Sequence, residues 1–312
     1  MNPVNLFFAC DNAYVPFLAV TLTSLKENCN PKRDYALRIL HTGLDPENIR
    51  RLTDSFASDG FTMEFIDITQ AVEQFADKLH TRDYYSKSTY YRLFIPDLFP
   101  QLDKALYLDS DVVLLGDVSE LYDVDLEDNL VGAIPDSVVG SIPALALYTK
   151  KRLRVAADHY FNAGVLLMNL DAMRKCDFLN VFLRLLQSVT FQIAQDQDYL
   201  NVICKNRVEY VGFEWNTMPC DVHTNAPKLI HYNLDFKPWH RDDVAFGDVF
   251  WDYAERSGYL EEIRKVREGY TEWHIARSAE ETTHLIAMGK KQARKRMANM
   301  LIRWKIRRVV NV

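Results

Sequence analysis

The residues of this 312-residue chain that could do chemistry gather where apolar runs end. Tyr107-Leu108-Asp109-Ser110-Asp111-Val112-Val113-Leu114 carries a strand-like run into two carboxylates and then into more apolar residues. In open α/β sheets, ligands bind beyond the carboxyl ends of strands. Two carboxylates placed there are hard oxygen ligands, suited to Mg²⁺ or Mn²⁺. An ion so held bridges a diphosphate and neutralises the charge that builds as it leaves. On its own, the same Asp-x-Asp also suits a solvated turn or a helix cap.

A second cluster, His231-Tyr232-Asn233-Leu234-Asp235-Phe236-Lys237-Pro238-Trp239-His240, follows the apolar pair Leu229-Ile230. A histidine at a strand end can complete the coordination that two aspartates begin. Lys237 can reach a phosphate as a point charge. The plainer alternatives are a hydrogen-bonded, partly buried histidine and an exposed lysine. Two further segments offer amides and carboxylates: Tyr160–Leu167, with Asn162, and Gln195-Asp196-Gln197-Asp198 at the start of an apolar-periodic helix. These can face sugar hydroxyls, or they can cap the helix and complement its dipole.

The elements that must position these groups alternate. Val4–Ala9, Ala36–His41, Thr62–Ile66 and Lys104–Leu108 read as strands. Pro16 to about Asn28 and Pro46 to about Ala57 read as helices opened by proline. Thr89–Phe99 is expected to be helical. Strands separated by helices imply a mainly parallel sheet covered on both faces. Beyond it, Val131–Ile134, Gly164–Asn169, Val208–Val211 and Lys228–His231 read as strands, and Phe178–Ser188 and Asp196–Lys205 as helices. Past about Asp248 the pattern is helical only. The expected division is a catalytic domain over 1–255 and a basic helical tail over 256–312.

Composition bounds the function. At 48% hydrophobic the chain can build a sizeable core, and 11 glycines and 11 prolines leave no room for a long flexible linker. The five cysteines, Cys10, Cys29, Cys176, Cys204 and Cys220, are scattered, which favours reduced thiols over a disulfide framework. No basic segment precedes an apolar run at the N-terminus, and no stretch reaches the roughly 20 apolar residues of a membrane span. A cytoplasmic protein is expected, soluble or peripheral on the inner face of the membrane. Net charge is −6, yet nine Lys or Arg and no acid follow Leu285, so the remainder carries −15. The tail mixes those cations with Met297, Met300, Leu301, Ile302, Trp304, Ile306 and Val309. That pattern suits a helix on an anionic membrane, or one docked on the acidic body. No nucleic-acid partner is expected, because the body would repel phosphate.

Taken in order, FFACDNAY, STYYRL, YLDSDVVL, VGAIPD, YFNAGVLLMNL, QDQDYLN and HYNLDFKPWH resemble the family 8 glycosyltransferases. That retaining group includes bacterial lipopolysaccharide galactosyl- and glucosyltransferases and glycogenin. The resemblance runs from about Leu6 to His240. It implies a GT-A-type nucleotide-binding fold and transfer of a hexose, galactose or glucose, from a UDP-sugar to a saccharide or lipid-linked acceptor. It also implies site roles. Asp109, Asp111 and His231 would ligate Mn²⁺ (or Mg²⁺). Ala9, Cys10, Asp11 and Ala13 would line the uridine pocket, with Ser110 beside them. Arg92, Asp136, Asn162 and Asp196 would contact the donor sugar, Lys237 the diphosphate. Gln197 would lie near the anomeric carbon. An amide is a poor nucleophile, so a front-face reaction is expected, with Asp196 and Asp198 as alternative nucleophiles. Tyr84, Met218, Pro219 and Cys220 fall where acceptor contacts are expected. The chain departs from the pattern at Ala13, and at Leu234-Asp235-Phe236, where a Gly-Pro stretch is usual.

Two other functions fit less of the sequence. A sugar nucleotidyltransferase usually carries a Gly-rich N-terminal loop with a basic residue, and Val4–Tyr14 has neither. A non-enzymatic nucleotide-sugar-binding or membrane-associated protein would not need the full set of metal and phosphate residues.

Overall fold

The computed structural model describes residues 2–75, 79, 87–220 and 225–310. Strands β1 (Val4–Ala9), β2 (Tyr35–His41), β3 (Phe61–Asp67), β4 (Lys104–Leu108), β6 (Val131–Pro135), β7 (Phe161–Asn169) and β8 (Val208–Tyr210) form one mixed, mainly parallel sheet in the order β3-β2-β1-β4-β7-β6-β8. A separate two-stranded sheet joins β5 (Val112–Leu114) to β9 (Leu229–His231). The chain forms two compact units. One comprises residues 1–70, 105–125 and 212–278; the other comprises 71–104, 126–211 and 279–312.

In the first unit, β1 pairs in parallel with β2 and β4, and β2 with β3. All six residues of β1 are buried, as expected of a parallel strand covered on both faces. Helix α1 (Val15–Asn28) opens with a proline in its first turn and buries Phe17 to Leu25. Its polar residues are buried because they hold backbone. The Thr21 hydroxyl donates to the Ser110 carbonyl at 3.2 Å and to that of Val112 at 2.7 Å. The Leu114 N–H donates to Ser24 Oγ at 3.0 Å. Thus α1 holds the backbone within the aspartate turn and along the strand that follows it. Helix α2 (Pro46–Phe56) follows β2.

In the second unit, β6 runs antiparallel to β7 and parallel to β8. Gly132 lies at a close approach: a Cβ there would meet Leu126 at 3.0 Å and Leu167 at 3.3 Å. Helix α3 (Phe178–Ser188) buries Phe178, Val181, Phe182, Leu185 and Leu186, one apolar face at helical spacing. Helix α4 (Gln195–Ile203) follows it.

The single helix expected over Thr89–Phe99 is instead a 3₁₀ segment, Lys87–Phe94, followed by a short α-helix, Ile95–Leu98. Pro96 explains the break. It has no N–H to continue a preceding helix, but it suits the first turn of a new one. Val112–Leu114, read only as an apolar run, is strand β5.

The C-terminal stretch consists of α5 (Gly247–Arg256), α6 (Leu260–Gly269), α7 (Glu272–Arg294) and α8 (Arg296–Val310). Residues 256–278 belong to the first unit and 279–310 to the second. No described helix is long and apolar enough to cross a membrane. No disulfide forms among the described cysteines, and Cys10 and Cys204 lie in the core.

Candidate active site

Strand pairing assembles the first cluster. In the antiparallel register of β5 and β9, His231 sits opposite Val112, the residue after Asp111. The Tyr232 N–H donates to the Asp111 carbonyl at 3.0 Å and closes the end of the ladder. His231 Nε2 therefore lies 3.4 Å from Asp111 Oδ1 and 3.8 Å from Asp109 Oδ2. Asp109, Asp111 and His231 can each offer one ligand atom, all within 4.8 Å of one another. Among the described residues this is the group able to hold a metal ion in that way.

Two residues orient it. His231 Nδ1 meets Asn216 Oδ1 at 2.9 Å. The amide oxygen can only accept, so Nδ1 carries a proton and Nε2 is the nitrogen turned to the two carboxylates. Deprotonated, that nitrogen would join the two carboxylates as a ligand for a cation between them. The Tyr107 hydroxyl donates to Asp109 Oδ1 at 2.9 Å. Asn216 escaped the sequence reading because it lies 15 residues before the histidine it orients, with no spacing rule to link them.

Lys237 is buried beside this group. Its Nζ donates to Asp111 Oδ2 at 2.5 Å and to the Tyr232 carbonyl at 2.8 Å. The ammonium also lies over the rings of Trp239 and Tyr14, at 5.1 and 5.8 Å. Burial alone would raise the Asp111 carboxyl. Lys237 and His231 more than offset it and hold the group well below the ordinary carboxylate range. Trp239 anchors the loop by stacking on Phe17 at 4.2 Å and by contacting Phe250 at 4.7 Å.

The proposed uridine segment follows β1. Cys10 is buried and its N–H donates to the Leu40 carbonyl at 3.1 Å. Burial, then Asp11, pushes its thiol well up, so it is no thiolate at neutral pH. Asp11 Oδ1 accepts from the Tyr14 N–H at 3.1 Å, and Asp11 and Ala13 are exposed. The Ser110 hydroxyl donates to the Ala9 carbonyl at 2.9 Å, tying the aspartate turn to this segment. Of the expected acceptor residues, Met218 is fully buried against Asn233 Nδ2 at 3.3 Å and Cys220 is exposed. Tyr84 lies outside the described residues.

The second unit gathers the other expected residues. Asp136 caps the helix Ser137–Ser141 through the Val139 N–H at 2.8 Å. Its Oδ2 accepts from Gln197 Nε2 at 3.0 Å and Asn162 Nδ2 at 3.3 Å. Gln197 Oε1 accepts from the Ala163 N–H at 2.9 Å. Both ends of that amide are thus fixed. Arg92, buried, forms an ion pair with Asp196 at 3.2 Å and donates to the carbonyls of Thr89 and Ala163. Asp198 is different. It is fully buried, and its two oxygens accept from Tyr148 and Tyr160 at 2.7 and 2.8 Å. Burial raises its carboxyl to about 6 against the pull of those phenols. Asn201 ties α4 to β7 by bonding both the N–H and the carbonyl of Phe161. Tyr148 and Asn201 were not singled out from the sequence, since a phenol in a helix and an amide in an apolar helix read as filling.

The family model for glycosyl transferase family 8 matches residues 5–243. The chain belongs to that family. It is 28% identical to the galactosyltransferase LgtC, solved with donor and acceptor sugar analogues, over 81% of this chain and 96% of that one, with a TM-score of 0.68. The bifunctional glycosyltransferase WbbM is 26% identical over 85% of this chain with a TM-score of 0.73, and the chain spans about half of that longer protein, 51%. The lipopolysaccharide 1,3-galactosyltransferase of Salmonella typhimurium is 25% identical over 76% of this chain and 73% of that protein. The sheet and its flanking helices are accordingly a GT-A-type fold, as the sequence implied, with C-terminal helices added.

Proposed function

We propose that this family 8 glycosyltransferase moves a hexose, galactose or glucose, from a UDP-sugar to a saccharide or lipid-linked acceptor in cell-surface glycan synthesis, with retention of anomeric configuration. The observation that carries this is the approach of His231 to Asp109 and Asp111 with Lys237 beside them. Two carboxylates and one imidazole fit Mn²⁺, with Mg²⁺ the harder-ligand alternative. Such an ion supplies Lewis-acid neutralisation of the departing diphosphate.

The chain's own residues do the rest. Lys237 supplies a fixed positive charge to the diphosphate. Ala9, Cys10, Asp11, Ala13 and Ser110 form the uridine contacts. Arg92, Asp136, Asn162 and Asp196 orient the sugar through hydroxyl hydrogen bonds. Gln197, with both amide ends engaged, orients rather than attacks. Asp198 offers no surface to a substrate and is already bonded to two phenols, and Asp196 is buried in an ion pair with Arg92, which favours a front-face displacement over either as nucleophile. In it, the acceptor hydroxyl enters as UDP departs on the same side, and a leaving phosphate oxygen takes the hydroxyl proton.

Helix α8 supports an anionic membrane as a further partner. One face docks on the second unit through buried Asn299 and Ile306 and through Lys305 Nζ on the Ser188 carbonyl at 2.9 Å. The other face exposes Met297 (86%), Met300 (68%), Leu301 (55%) and Trp304 (53%), an i, i+3, i+4, i+7 stripe flanked by cations. Docked helix and membrane helix are thus compatible roles.

The test is a screen of UDP-sugars for Mn²⁺-dependent UDP release with and without acceptor. Release from UDP-galactose or UDP-glucose, lost on chelation, is expected. Formation of a UDP-sugar from UTP would favour a nucleotidyltransferase. Binding without turnover under any acceptor would favour a non-enzymatic role.

A further inference from the structure

Asp235 stands two residues before Lys237, in the loop proposed to meet the diphosphate. A carboxylate free to swing there would repel the donor and compete for the ammonium. The structure shows it held instead. Its Oδ1 accepts from the Ser278 hydroxyl at 2.7 Å, and its Oδ2 from Arg241 Nη1 at 3.3 Å. Ser278 is a buried residue of α7. The loop enters through Leu234, whose φ of 52° is left-handed. That region disfavours a residue with a Cβ, so the loop needs outside ties to keep this shape. It leaves through His240, whose ring stacks on Tyr270 at 3.8 Å and 2°. Tyr270 stacks in turn on His274 at 5.1 Å. Burial, then Lys237, Arg267 and His274, bring His240 down to about 3, so a neutral ring is what stacks there.

The geometry points to Ser278, with Arg241, as a latch that turns Asp235 away from the diphosphate and so leaves Lys237 to face it. Ser278 is a positioning residue for donor binding: it acts through Asp235 and touches no reacting atom. The first turns of α7 thereby become part of the donor site. This latch fits a chain with Leu234-Asp235-Phe236, where bulk and charge must both be managed. The inference rests on the UDP-sugar reading.

Binding separates the two without turnover. UDP and uridine are titrated in the presence of Mn²⁺ against the full chain, Ser278→Ala, Ser278→Thr, Asp235→Asn and the double variant Ser278→Ala/Asp235→Asn. Ser278→Ala is expected to weaken UDP by about tenfold, the scale of one hydrogen bond to a charged group, and to leave uridine unchanged. Ser278→Thr should stay within about twofold of the unmodified chain. Neutralising the released carboxylate should restore UDP affinity in the double variant, a recovery that simple loosening would not give. If Ser278→Ala fails to fold, Asp235→Asn alone decides, since a latch whose purpose is to restrain charge predicts UDP affinity at least as high as in the unmodified chain. The latch is overturned by unchanged UDP affinity in Ser278→Ala, by parallel losses for UDP and uridine, or by no recovery in the double variant. It is equally overturned by weaker UDP binding in Asp235→Asn. Failure of the unmodified chain to bind UDP would instead overturn the donor reading itself, and the latch with it.

Discussion

Asp109 and Asp111 are not equivalent, although the sequence presents them as a pair. Asp111 forms an ion pair with buried Lys237, whereas Asp109 is partly exposed and accepts from Tyr107. Removing one partner of a buried ion pair strands the other, at a cost of roughly 3–5 kcal/mol. Asp111→Ala is therefore expected to lose stability as well as turnover, and Asp111→Ala/Lys237→Met to regain much of the melting temperature but no activity. Asp109→Ala should lose turnover with little change in melting. Equal melting temperatures for the two single variants would contradict this asymmetry. Asp198 gives a pH prediction. Its folded pKa of about 6 lies above the ordinary carboxylate value. Across the window from about pH 4 to about pH 6, the folded chain keeps a proton that the unfolded chain has released, so this group's contribution to stability falls as pH rises. The span corresponds to roughly 1–3 kcal/mol. Asp198→Asn should remove that slope, so that its melting temperature gains on the unmodified chain between pH 4 and 7. Parallel melting curves over that range would exclude the effect.

At the scale of elements, helix α8 makes the cleanest prediction. Met300→Glu/Trp304→Glu alters only the exposed stripe and leaves Asn299, Ile306 and Lys305 in place. It is expected to abolish flotation with phosphatidylglycerol vesicles while UDP release from soluble donor persists. Unchanged flotation would remove the membrane partner. Much of the element plan was legible in the sequence. The buried strands β1, β2 and β4 are long apolar runs, and proline marks the openings of α1 and α2. What stayed hidden is what pairs at a distance. β5 has three residues, too short for any periodicity, yet its register with β9 is what brings His231 to the aspartates. The sequence ranked that histidine by its strand-end position alone. The buried hydroxyls of Thr21 and Ser24 and the amides of Asn201 and Asn216 were equally silent. Their roles lie in backbone groups far away in the chain.

Over the whole molecule, the charge is segregated: an acidic body carries a cationic C-terminal stretch. The proposed metal and diphosphate groups all belong to the first unit, and the proposed sugar groups to the second. A ligand that binds only the folded chain stabilises it by mass action, by about 2.7 kcal/mol at a hundredfold excess over its dissociation constant. On the proposed donor reading, Mn²⁺ and UDP together are expected to raise the melting temperature more than the sum of either alone, because each would complete the other's coordination. Strict additivity would argue against a shared site.

The bonds to Gln197 also bear on which side chains the position tolerates. Ala163 offers its side chain a donor and Asp136 an acceptor, and an amide satisfies both at once at any pH. A glutamate in its place would set two carboxylates about where a 3.0 Å hydrogen bond now lies. Asp136 has little freedom to move away, since it also caps a helix and holds Asn162. Gln197 is kept by its neighbours as much as by the reaction it serves.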